Sequence, residues 1–287
     1  MSRFFVFQRC RFGFVIALAI TLVITLWVSS VPAQRSISVQ VNRWLSVQSL
    51  GGEVWYLNRQ GTRRAQTGDL LTVVNDGLRT GSGSTGTLLV DTGIGTIQLL
   101  QDTEIRVQRL DYASDNGHIT HLYVPRGQVH VNLRRFTHRG SELEIETPAG
   151  VSGVRGTEFG VTVQSDGFTG IVTREGAVAV EAQSRQVLVP AGYQTTIRPG
   201  EPPLEPLVQS PPTIDYRIDY RTNGSRRWAL LIGQVDLVNR VYVNGEQQQL
   251  NYWREFVYEV SAVRGTRVEV TVLSPLNERA DYDIALF

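Results

Sequence analysis

Beyond residue 36 the sequence alternates between apolar and polar residues at period two. No run of ten or more residues there carries apolar positions at the three-four spacing of a helix. That pattern restricts the chain to strands. Gly52–Leu57, Leu70–Val74, Thr87–Asp91, Thr96–Leu100, Ile105–Val107 and His121–Val124 read as short strands. Asn75-Asp76-Gly77 and the glycine-serine run Thr80–Gly86 read as the corners between them. The predicted fold class is all-β, and many short strands with glycine corners predict a β-roll, a solenoid-like stack or a barrel.

Before that body comes a leader. Arg3, Arg9 and Arg11 precede an apolar run over 12–31, and Val31-Pro32-Ala33 offers a cleavage site after Ala33. These are the three parts of a secretory signal. The run is also about 20 residues long, enough for an uncleaved membrane anchor helix. In either case the positive-inside bias sends the rest out of the cytoplasm, to the periplasm or beyond. Without the leader's arginines the remainder holds 25 arginines against 27 acids, a formal charge of −2.

Composition excludes several chemistries. All 28 basic residues are arginine, so lysine-based Schiff-base chemistry and a Walker-type phosphate grip are ruled out. The sole cysteine, Cys10, lies in the leader, leaving the body no disulfide, thiolate nucleophile or cysteine metal site. Net charge near zero with no dense basic stripe argues against nucleic acid as a partner.

From 128 to 146 the alternation assigns faces. Val129, Val131 and Leu133 share one side, opposite Gln128, His130, Asn132 and Arg134. After a loop, Leu143 and Ile145 share a side, opposite Glu142, Glu144 and Glu146. The spacing predicts a hairpin with a basic face beside an acidic one. Gly52, Gly127 and Gly176 each open a glycine-X-valine strand start, although no strict repeat period joins them.

The stretch Thr147–Val180 holds glycines at 150, 153, 156 and 160, with Glu158-Phe159 before the last of them and alternating strands after it up to Glu175-Gly176. No helix follows, which excludes a P-loop. Gly150, Gly153 and Gly156 are predicted as corners, with Arg155 and Glu158 as an ion pair bracing them.

Six prolines between 199 and 212 predict an extended, semi-rigid linker. It separates a first domain over 37–198 from a second over 213–287. Six short strands in the latter, with a hairpin turn at Asn244-Gly245, predict a small Ig-like sandwich.

Candidate chemical sites are weak. His118, His121, His130 and His138 lack cysteines or placed acids, and His118 and His121 point to opposite faces of a strand; surface histidines, not a metal site, are predicted. Asp111, Asp115 and Asn116 lack the spacing of a calcium loop. Ser141, Ser152 and Ser165 occupy no nucleophile elbow. Glu142, Glu144 and Glu146 lie ~6.6–7 Å apart along a strand, a distance compatible with inverting glycoside hydrolysis, but three acids beside arginines read first as a solvated face. No catalytic residue, cofactor or metal is predicted. Trp55, Tyr242, Tyr252 and Trp253 are the candidate ligand surface, as a glycan-stacking platform.

Over residues 47–200 the sequence resembles the FecR-domain family, the extracytoplasmic module of bacterial ferric-siderophore signalling. The resemblance rests on Leu78-Arg79-Thr80-Gly81, Thr147-Pro148, Val154 to Phe159 (VRGTEF), Glu175-Gly176-Ala177-Val178 and Ala191-Gly192. It implies a β-roll or solenoid-like domain with a sensing or scaffolding role. Some eleven residues precede the apolar run, so it implies the stand-alone type without a cytoplasmic sigma-regulator region. The expected function is a non-enzymatic exported module that binds a protein partner in the cell envelope. A transmembrane signalling component anchored through residues 12–31 is the competing expectation, and a carbohydrate-binding protein the third.

Overall fold

The computed structural model describes residues 43–287 apart from Thr92, Gly224 and Ser225. The leader, Cys10 and the 12–31 run lie outside the described residues. Every regular element described is a strand, as the alternation predicts. No helix among the described residues is long and apolar enough to cross a membrane.

The organising element is one long strand, His118–Leu133. Its first half pairs with Glu104–Tyr112 on one edge and with Glu142–Glu146 on the other. Its second half pairs with Gly95–Leu99 and with Glu158–Val163. It therefore belongs to two sheets at once. Inward-facing positions are even before the crossing (Leu122, Val124) and odd after it (Val129, Val131, Leu133). A strand's side chains alternate strictly, so the phase changes only where the backbone bends. That bend runs from the register slip between Tyr123 and Arg126 to Gly127, at φ 108°. A Cβ there would lie 2.4 Å from Thr103 Cα, so the position needs glycine for conformation and for space. Gly127 is thus the middle of one strand and not the start of a new one.

The sheet reached by the second half continues through Thr169–Glu175, Tyr193–Ile197 and Leu207–Val208. The sheet reached by the first half continues through Val151–Val154, Ala177–Ala182 and Arg185–Pro190. Both bury one core, in which Leu88, Ile97 and Phe159 of the first meet Ile105, Ile145 and Val180 of the second. The predicted hairpin between 128–134 and 142–146 does not form. Both edges of Gly127–Leu133 are taken by other strands, so Glu142–Glu146 runs parallel to Ile119–Tyr123 instead.

Residues 214–285 form two further antiparallel sheets. Ile214–Asn223, Arg226–Val235 and Glu255–Ser261 make one; Arg240–Val243, Glu246–Gln248, Arg267–Leu273 and Arg279–Ala285 make the other. Their facing sides share a core that includes Leu231, Phe256, Val241 and Val270. Asn244 and Gly245 both take positive φ (51° and 81°), the hairpin turn their sequence predicts.

The residues read as a linker are tied to the first part. Leu207–Val208 extends its sheet beside Tyr193–Gln194, and the Thr195 hydroxyl donates to the Leu204 carbonyl at 2.6 Å. The described residues belong to one unit.

Candidate functional site

The outer face of Glu158–Val163 and its neighbours is buried by the segments 236–239 and 273–276 of the C-terminal part. Gln128 Nε2 donates to the Leu273 carbonyl and to Thr162 Oγ1, both at 3.0 Å, and Thr162 Oγ1 donates to the Val238 carbonyl at 2.5 Å. Gln164 Nε2 donates to the Leu237 and Asn239 carbonyls, and Arg240 Nη2 to the Val163 carbonyl. Removing one such buried partner leaves a carbonyl unpaired, at a cost of about 1–3 kcal/mol. The glycines of this face give the room. A Cβ on Gly160 would sit 2.4 Å from the Pro275 carbonyl oxygen, and one on Gly170 2.8 Å from Val238 Cα.

These contacts revise the motif's residues. Glu158 Oε1 lies 3.0 Å from His130 Nε2 and 3.1 Å from Arg174 Nη1, and Arg174 continues to Glu278. Among the described residues no ion pair joins Glu158 to Arg155, which is exposed. The strand direction turns at Gly156 and sends the two side chains apart. Gly156, at φ 102° and packed on Arg135, is a true corner. Gly153 lies within the strand Val151–Val154 with open space at its Cβ, and Gly150 faces the Glu181 carbonyl at close range; neither has positive φ. Phe159 is core, and Gly176 takes positive φ between two strands.

Burial pushes the His130 imidazole below its ordinary range, and the Glu158 carboxylate opposes that shift without cancelling it. The folded state therefore favours neutral His130. Its contribution is present above the unfolded value of about 6.5 and is lost as pH falls through the lower folded value. Urea-denaturation midpoints are expected to decline between pH 7 and 5, and less steeply in His130→Gln. Equal slopes in the two proteins would contradict this.

A second cluster arises from the parallel pairing, which sets Glu144 opposite His121. His121 Nε2 lies 3.0 Å from Glu142 Oε1 and 3.5 Å from Glu144 Oε2. The three donor atoms lie within 4.8 Å of one another, half-buried. No acid adjoins His121 in the sequence; the acids come from a strand more than twenty positions on, through a pairing no local pattern announces. Such closely converged oxygens also do not hold the ~6.5–9.5 Å gap of an inverting pair.

Asp91 and His118 form a carboxylate–imidazole pair at 2.9 Å. The nearby Ser141 hydroxyl accepts from the His118 backbone N–H, which is not how a nucleophile is set against its base.

The aromatic candidates divide. Tyr242 is 2% exposed, packed with Leu100 and Leu273, and is no ligand surface. Trp55 is half-buried under the Arg64 guanidinium. Tyr252 and Trp253 are 66% and 68% exposed, edge to face at 5.0 Å, with Arg198 over Tyr252. Gln164, Asp166 and Asn251 line a cleft beside Tyr252.

Two crystal structures of a provisionally named anti-sigma factor from Parabacteroides distasonis ATCC 8503 are similar to this chain. Identity is 18%, the TM-score 0.38, and the match covers 47% of this chain and 59% of that one. This chain thus matches less than two thirds of that protein's length. No curated protein matches the sequence. Residues 76–179 match the family model described as FecR protein, a span that holds the long strand, the VRGTEF segment and Glu175–Val178. The chain carries a FecR domain over residues 76–179.

Proposed function

We propose that this chain is an exported, non-enzymatic FecR-domain protein that holds a protein partner in a signalling or regulatory system of the cell envelope. The FecR match over 76–179 carries this reading. It is supported by the junction with the C-terminal part, where Gly160, next after the VRGTEF motif, packs on Pro275 and the motif's Glu158 is linked through Arg174 to Glu278. The first module is read as a β-roll over 37–198. After the long strand its chain alternates between two sheets hairpin by hairpin. The second, over 213–287, is read as an Ig-like sandwich. Its first, second and fifth strands share one sheet and its third, fourth, sixth and seventh the other, close to the immunoglobulin partition.

The test combines in-cell crosslinking of the tagged full chain with transcript profiling of a strain lacking it. The expected result is one envelope protein recovered with the parent chain, lost with Gly160→Leu, and a changed transcript set in the deletion strain. No specific protein together with an unchanged transcript set overturns the reading. Mass analysis of the exported protein separates a cleaved leader, with Gln34 first, from an anchor retained over 12–31.

The exposed Tyr252–Trp253 pair favours a second reading, glycan stacking at the C-terminal part. Glycan-array binding that is unchanged by Trp253→Ala removes it.

A further inference from the structure

We propose that His121, Glu142 and Glu144 bind a divalent transition-metal cation of the zinc type. Glu142 and Glu144 stand two apart on one strand, so their backbones are ~6.6–7 Å apart. Two free carboxylates at that spacing repel and splay outward. Here they converge on a single nitrogen, His121 Nε2, at 3.0 and 3.5 Å. Among the described residues no guanidinium pairs with either carboxylate, although Arg155 lines the adjoining groove. Arg109, the cross-strand neighbour of His121, is held by Asp111.

One imidazole N–H satisfies one carboxylate at a time, which leaves the second oxygen facing the first. A dication satisfies all three donors. Zinc binds nitrogen and carboxylate oxygen at ~2.0–2.2 Å, so two donors on one tetrahedral ion are separated by about 3.4 Å. The two observed nitrogen–oxygen distances bracket that value. Three protein donors leave the fourth position to water, on the side where all three side chains are partly exposed. The ion would clamp Glu142–Glu146 to the first half of the long strand, immediately before the motif stretch 147–160.

The test is calorimetric titration of the purified full chain with Zn²⁺, with Co²⁺ absorption as the reporter of geometry. One equivalent is expected to bind, with tetrahedral Co²⁺ bands. Affinity is expected to fall at least tenfold in His121→Ala and in Glu144→Gln, and to stay at the parental level in His138→Ala. All three side chains are partly exposed, so the variants keep the fold; matching circular dichroism checks this, and a Glu142→Gln variant replaces any that fails. Absence of binding to the parent, or parental affinity in both His121→Ala and Glu144→Gln, overturns the site.

Discussion

Asp91→Ala is expected to lower the unfolding free energy by about 3–5 kcal/mol. Arg43 has no exposed side-chain surface, and its guanidinium pairs with Asp91. Its other acceptors are neutral: the Asp111 carbonyl at 2.9 Å, Thr120 Oγ1 at 2.8 Å and the Ile119 carbonyl. Without Asp91 a buried cation keeps only dipoles for company, and the desolvation of the charge is no longer offset. The loss is one of partnership, not of shape. Asp91→Asn keeps the residue's size and its tolerance of φ 45° while removing the charge. It should fall between parent and alanine variant. Combining it with Arg43→Met removes both charges and should recover most of the loss. Urea denaturation of the four proteins measures this, and a double variant as unstable as the alanine variant would refute the pair account. The same carboxylate also holds His118 Nδ1, so Asp91 ties the chain's first described residue to the beginning of the long strand.

Gly127→Ala is expected to cost about 2–6 kcal/mol, from a strained backbone at φ 108° and from overpacking against Thr103. Thr103 cannot yield easily. It is fully buried, accepts from the Gln128 amide at 2.9 Å and donates to the Gln128 carbonyl at 3.1 Å, which clamps the bend from both sides. The comparison that gives this its force is Gly153→Ala. Gly153 has ordinary φ and open space at its Cβ, the nearest atom being Glu144 Cγ at 3.9 Å. Its replacement should be neutral or stabilising by about 0.4–1 kcal/mol. Equal losses at the two positions would show that the bend at Gly127 is not what joins the sheets.

Some of this was legible in local pattern. Period two in Val129, Val131, Leu133, Leu143 and Ile145 named inward residues correctly, because alternation is a property of the strand itself. Asn244-Gly245 named its turn because positive φ is set by the residues that adopt it. The family resemblance over VRGTEF pointed to the span that the FecR match covers. The partners of those residues were not legible. Arg155 and Glu158 looked paired because they are near in sequence, yet Glu158 reaches His130 and Arg174, 28 and 16 positions away. Tyr242 looked like surface because nothing local told that Leu100 would cover it.

The sequence by itself determined that the body is built of strands, that lysine and cysteine chemistry are absent from it, and which residues turn the chain. These follow from composition and from backbone preferences that act within a few residues. Only the tertiary structure decided which strands meet. One glycine bend shares a strand between two sheets, and that strand's full edges force Glu142–Glu146 into parallel pairing beside His121. Donor groups that no local spacing relates come together there, because strand pairing is settled by which edges remain free once the whole sheet has formed.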